Sequence, residues 1–217
     1  MQGCAADRSP TRRDTGVVTD TTDLADAGTA PEDGVPAGRA LTRTRLLIGV
    51  ALAVLVVDIA TKTIVVAALG DRPPVRLPGG LAYLIEARNP GAAFSFAQGA
   101  TVLFTAIAAA AVVLILRTAP RLRSRPWAVA LGLILGGAAG NLVDRLFRSP
   151  GPMRGWVVDW ISVLDPAGRF FPVFNLADSG IVVGGVLTVL LAFLGVEPSG
   201  VRSRGRGRVG PAAAGQE

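Results

Sequence analysis

Four stretches of the chain are apolar for long enough to cross a bilayer, and polar or turn-rich segments separate them. A hydrocarbon core takes about 20 residues of helix, and runs of about 18 or more with few charges are candidates. The first, residues 46–69, is interrupted by Asp58 and Lys62. The second, 99–116, carries no charge, and the third, 126–143, has Asn141 as its strongly polar side chain. The fourth, 179–196, follows "FPVFNLADSG", which sets Asn175 and Asp178 at the threshold of an apolar run. The pattern predicts four membrane crossings and an all-α membrane protein.

The segments between and beyond the crossings are different in kind. Residues 1–38 are rich in Asp, Thr, Ala, Gly and Pro without apolar periodicity, which predicts a disordered cytoplasmic tail. Residues 199–217 are low in complexity and basic, a second disordered tail, so the membrane domain is expected over 39–198. Link 70–98 has Pro-Pro and Pro-Gly-Gly turn signals around "LAYLIEAR", which predicts a short strand or hairpin. Link 144–178 holds Trp156, Trp160, Phe170, Phe171 and Phe174, rings suited to the membrane–water interface. Gly132, Gly136 and Gly140, four apart in the third run, predict a face on which a neighbouring backbone packs closely.

Half the chain is hydrophobic and mean hydropathy is +0.48, which agrees with a bilayer protein. A formal charge of +6 raises nucleic acid as a partner, but the arginines answer otherwise. Arg39, Arg43 and Arg45 precede the first run, Arg117, Arg121, Arg123 and Arg125 fill the second-to-third link, and Arg202, Arg204, Arg206 and Arg208 follow the fourth. Positive residues at these three places put both termini and the middle link in the cytoplasm. No nucleic acid is expected, and membrane lipids are.

The chemistry available is narrow. There is no histidine, which excludes Ser-His and Cys-His nucleophilic sites and His-based zinc motifs. The single cysteine, Cys4, permits no disulfide within one chain, and nothing near it activates a thiol. Only three residues precede Cys4, so a lipidation signal is not expected there either. Acid–base work then falls to Asp, Glu, Lys, Tyr or backbone groups. Ionisable and amide side chains at bilayer depth are expensive and are candidates by default. They are Asp58, Lys62, Asn89, Asn141, Asp144, Arg145, Asp159, Asn175 and Asp178.

Asp58 and Lys62 lie four apart, so they can pair on one helix face. That pair either ties the first helix to the bundle or takes part in chemistry. Asp144 and Arg145 end the third run, where Arg145 either snorkels or pairs with a carboxylate. Asp178 is either a helix N-cap or a reacting group. Asp159, inside "WVVDWIS", gains nothing structural from its apolar neighbours. If Asp159 and Asp178 face each other in a dry site, they share a proton, and one acts as base while the other acts as acid.

The blocks "RNPGAAFS" (88–95), "GGAAGNLVDRLF" (136–147), "VVDW" (157–160) and "FNLADSGIVVG" (174–184) resemble, in order and spacing, those of signal peptidase II. That family comprises bacterial lipoprotein signal peptidases, intramembrane aspartic peptidases. The resemblance covers residues 45–196 and implies four transmembrane helices, a small extracytoplasmic β-cradle and a short surface helix before the fourth. It implies Asp159 and Asp178 as the catalytic pair. Asn89, Asn141, Asp144, Arg145, Asn175, Asp58 and Lys62 follow as substrate-binding or site-supporting residues. It implies prolipoproteins carrying a diacylglyceryl cysteine as substrates, cut on the N-terminal side of that cysteine. No cofactor or metal is expected, and the enzyme is expected to act as a monomer in the bacterial cytoplasmic membrane with its site near the outer face. The long N-terminal tail, the basic C-terminal extension and the "RSPGPMRG" insert depart from the family pattern. Two other classes fit four helices: a small transporter, which more often shows repeated halves with sites at mid-depth, and a structural membrane subunit, which leaves Asp159 without a reason.

The arginine pattern makes a testable statement about topology. Reporter fusions at residues 123 and 201 should both report the cytoplasmic side, and a fusion at residue 168 the outer side. An external readout at residue 201 would overturn the assignment.

Overall fold

The structure is a computed structural model in which residues 37–91 and 100–201 are described. The tails expected at 1–38 and 199–217 therefore lie outside the described residues, except that helix α1 begins at Ala37 and residues 199–201 are described. Of the "RNPGAAFS" block, residues 88–91 are described.

The four apolar runs are helices: α1 Ala37–Leu69, α2 Ala100–Thr118, α3 Arg125–Phe147 and α4 Leu176–Phe193. All four are long and apolar enough to cross a membrane. In hydrocarbon a helix satisfies its own backbone groups, which is why uninterrupted apolar sequence adopts it. Large side chains such as Leu52, Val56, Leu103, Leu114, Val182 and Phe193 are exposed on the helix flanks, the kind of surface a helix in hydrocarbon presents. A short 3-10 turn, Ala119–Arg121, links α2 to α3, and Pro126 starts α3 where its missing N–H is harmless.

Helix α3 is the centre of the bundle and touches α1, α2 and α4. Its glycines allow this. A Cβ on Gly132 would lie 2.8 Å from the Leu47 carbonyl oxygen, and one on Gly136 2.6 Å from that of Ala51. A Cβ on Gly137 would likewise crowd the Ala177 carbonyl of α4, and one on Gly184 of α4 would lie 2.6 Å from the Ala130 carbonyl oxygen. The expected close-packing face is thus formed against α1, and a second one against α4. Gly140 serves a different end: a Cβ there would sit 2.5 Å from the Asp58 carboxylate, so its absence makes room for a charge.

A three-stranded antiparallel sheet stands beside the bundle in the order β1 (Val75–Arg76), β2 (Ala82–Asn89), β3 (Val157–Val163). The first two strands come from the link between α1 and α2 and the third from the link between α3 and α4, so the sheet ties the two links together. The short surface helix expected before α4 is not formed among the described residues: 148–175 contain β3 and turns. β-Branched Val157, Val158, Ile161 and Val163 favour an extended chain paired to β2, and Pro166, Gly168 and Pro172 then break any helix that follows.

The helix packing can be tested with a matched pair. Gly136→Ala should lower stability by about 1–3 kcal/mol through overpacking against α1. Gly185→Ala, where nothing lies within 4 Å of the added Cβ, should be neutral or slightly stabilising. Thermal melts of both variants in the same detergent check this.

Candidate active site

Strand pairing sets the first half of the site. In β2–β3, Leu84 opposes Ile161 but Ala87 opposes Asp159, so β2 holds one extra residue between them. Because side chains alternate faces, this bulge moves Ala87 and Asn89, instead of Glu86 and Arg88, onto the face of Asp159. Asn89 then donates from Nδ2 to Asp159 Oδ2 at 2.9 Å. Asp159 itself is buried, 2% exposed.

The second half comes from the entry to α4. Phe174 bridges to Ile161, with backbone bonds of 2.8 and 3.0 Å, and so lays the incoming chain against β3. The next residue, Asn175, is the N-cap of α4, fully buried. Its Oδ1 accepts from the Asp178 N–H at 2.9 Å, and Asp178 Oδ2 accepts from the Asn175 N–H at 3.1 Å. This reciprocal pair is a capping box, so Asp178 occupies N3 and the N-cap alternative for it is corrected to Asn175. Asn175 Nδ2 also donates to Asp159 Oδ1 at 2.6 Å, which makes one residue the bridge between the two aspartates.

Asn141 on α3 completes the set by donating to Asp178 Oδ1 at 2.7 Å. All four carboxylate oxygens of the pair therefore receive an N–H, and every one of those donors is electrically neutral. Burial, reinforced by the like charge of Asp178, pushes the Asp159 carboxyl up from 3.8 to about 7. The Asn89 and Asn175 bonds and the charge of Lys62 oppose this without cancelling it.

Behind Asn141 lies an ionic cluster. Lys62, with no exposed surface, is 2.7 Å from Asp58 Oδ2 and 2.9 Å from Asp144 Oδ2, and it donates to Asn141 Oδ1 at 3.0 Å. Asp58 Oδ1 accepts from the Ala177 N–H at the start of α4, and Asp144 Oδ2 from the Val158 N–H of β3, at 3.0 and 3.2 Å. The Asp58–Lys62 pair expected from spacing is formed and ties α1 to both α3 and α4. Arg148, which the sequence pattern did not single out, pairs with Asp144 one turn along α3. The signal for it was the i, i+4 spacing, hidden because the apolar run ends at Val143.

The structure thus gathers eight of the nine singled-out residues into one hydrogen-bonded and ion-paired network. Arg145 stands apart from it. Among the described residues Arg145 forms no ion pair, its Nη1 has no hydrogen-bond partner, and its guanidinium lies 5.9 Å from the Phe104 ring centre. It lines an apolar groove of about 260 Å³ with Phe104, Ile107, Ile134, Ala138 and Asn141. Asp159 and Asn89 line a separate, more polar cavity of about 310 Å³ with Arg88, Pro90, Gly168 and Pro172.

Comparison with known proteins decides the family. The family model described as Signal peptidase (SPase) II matches residues 50–194. The chain belongs to the signal peptidase II family. It is 47% identical over 172 residues to the lipoprotein signal peptidase of Streptomyces griseus, covering 79% of this chain and 85% of that one. The lipoprotein signal peptidase of Mycobacterium tuberculosis is 45% identical over 183 residues, 84% of this chain and 87% of that protein. Among solved structures, a bacterial membrane enzyme determined by the in meso method at 2.3 Å superposes with a TM-score of 0.56. It is 27% identical and the match covers 68% of this chain and 87% of that one. As a signal peptidase II, the chain is a peptidase with multiple membrane spans, and the network above sits within the matched region.

The raised Asp159 carboxyl has a consequence for stability. Between pH 3.8 and about 7 the folded protein holds a proton there that the unfolded chain has released. Native stability must therefore fall as pH rises through that window. Asp159→Asn removes this dependence, so its melting temperature should decline less between those limits than that of the wild type. Parallel slopes would contradict the shift.

Proposed function

We propose that this chain is an aspartic endopeptidase that removes signal peptides from prolipoproteins, cutting on the N-terminal side of a diacylglyceryl-modified cysteine. The observation that carries the aspartic mechanism is the bridging of Asp159 and Asp178 by Asn175 at the mouth of α4, with neutral donors on every carboxylate oxygen. A cation paired directly to either carboxylate would lock it in the ionised form; amides hold the geometry and leave a proton free to be shared.

In this reading Asp159, the more buried partner, carries the shared proton, and the anion sits on Asp178 at the N-terminal turn of α4. Asp178 takes a proton from a water whose oxygen attacks the scissile carbonyl carbon. Asp159 gives its proton to the developing oxyanion. When the C–N bond breaks, the proton taken from water passes from Asp178 to the leaving amine, and the collapsing diol returns a hydroxyl proton to Asp159, leaving a carboxylic acid and the pair as it began. The two spaces beside the pair suit the two ends of such a substrate. The apolar groove takes the membrane-embedded side, and Arg145, with Nη1 unpartnered among the described residues, offers a donor to backbone carbonyls there. The polar cavity lined by Asn89 takes the extended chain beyond the cut. Hydrolysis at the membrane boundary fits a site at the first turn of α4.

The same reading places the chain in the bacterial cytoplasmic membrane with both termini inside, the pair near the outer face, residues 39–198 as the peptidase domain, and the monomer as the working unit. A mid-depth transport site is disfavoured, because the network joins helix ends to a strand outside the spans.

Asp159→Asn and Asp178→Asn should each lower turnover of a diacylglyceryl-modified prolipoprotein by about 10²–10⁴-fold while the protein still melts cooperatively. Asparagine keeps the size and an acceptor oxygen at both places but cannot carry the proton. A variant that melts normally and cleaves near the wild-type rate would remove its aspartate from the mechanism.

A further inference from the structure

Asn141 presents a choice that shape does not decide. A side-chain amide has an acceptor end and a donor end of nearly equal size, and only its partners fix which way it points. Here Oδ1 accepts from Lys62 at 3.0 Å and from Asn175 Nδ2 at 3.2 Å, while Nδ2 donates to Asp178 at 2.7 Å. Turned over, the NH2 would face an ammonium and another amide NH2, and the oxygen would face the Asp178 carboxylate. We propose that Lys62 is a positioning residue for the reaction: by holding the Asn141 carbonyl, it delivers the Asn141 N–H to Asp178. The inference rests on the reading of Asp159 and Asp178 as the reacting pair.

Lys62 is the decisive partner of the two. The Asn175 bond to Asn141 is the longer, and the same Nδ2 has Asp159 Oδ1 at 2.6 Å and Val158 O at 3.4 Å as other acceptors. Without the ammonium, the acceptor end of Asn141 is held by the long Asn175 bond alone, and the Asp178 carboxylate is left as the one strong partner that orients the amide. Lys62 is also fixed in place, since its contacts with Asp58 and Asp144 are ion pairs and those carboxylates are held by the N–H groups of Ala177 and Val158. It has no exposed surface and lines neither the apolar groove nor the polar cavity, so it acts through Asn141 and not on substrate. Its removal should depress kcat and leave KM little changed.

The test uses the full chain and a synthetic diacylglyceryl-modified prolipoprotein peptide. Lys62→Met combined with Asp58→Asn removes one charge of each sign, leaves Asp144 paired with Arg148, and keeps an oxygen for the Ala177 N–H. This variant should melt close to the wild type, with kcat lowered about ten- to hundredfold, the range of one hydrogen bond to a charged group. Placed on top of Asn141→Ala, the same change should cost nothing further, because both act through one bond. Wild-type kcat in a normally melting variant, or losses that multiply, would overturn the proposal. If the charge-balanced variant does not melt cooperatively, Asn141→Asp decides: it keeps a partner for Lys62 but offers Asp178 no N–H, so kcat should fall comparably, and wild-type kcat would overturn the proposal. Asp159→Asn and Asp178→Asn run alongside. Cleavage surviving in those would sink the catalytic reading itself, whereas its loss there with normal turnover in the Lys62 variant would sink only the role of Lys62.

Discussion

A fully buried ammonium within an apolar helix is the constraint on which the rest of the site depends. Lys62 reaches no solvent, and an unpaired charge in that position is among the costliest features a membrane helix can carry. Three oxygens answer it, from Asp58, Asp144 and Asn141. Each of these residues in turn holds an element that carries the site. Asp58 caps the start of α4, Asp144 takes the N–H of Val158 beside Asp159, and Asn141 meets Asp178. Removing one partner of such a buried pair typically costs about 3–5 kcal/mol. The loss would be felt at both aspartates, although neither touches the lysine.

This arrangement separates two tasks that conflict when done by one group. A strong positive charge links α1, α3 and α4, yet placed directly on Asp159 and Asp178 it would hold both carboxylates ionised. The chain keeps the charge one residue back and lets Asn89, Asn141 and Asn175 make the contacts. The glycines of α3 serve the same end, because Gly140 leaves the space that the Asp58 carboxylate fills. Packing and chemistry are coupled here through a missing side chain.

The four crossings were legible because hydrocarbon admits little besides uninterrupted apolar helix. Their ends were less so. The third run stops at Val143 by hydropathy, whereas α3 continues to Phe147 because Asp144 is neutralised by Lys62 and Arg148. The strand through Asp159 was not legible, since its partner β2 lies in another link and pairing across that distance leaves no local mark. The residue types of the site were visible as polar groups in the wrong place, but their orientation was not. Asn89 faces Asp159 through a one-residue bulge, and no alternation pattern announces it. The capping box was a missed signal of a different sort: Asn175 and Asp178 have the N-cap and N3 spacing in plain view.

The central claim is that the pair holds a single shared proton, carried by Asp159. Infrared spectroscopy of the purified full chain tests it directly, read at pH about 5.5, above the ordinary carboxyl range and below the shifted value of about 7. The account predicts a band from a protonated, buried carboxyl in the wild type that disappears on deuterium-shifted difference spectra of Asp159→Asn. A wild type with no such band, or a band that survives in Asp159→Asn, would contradict it.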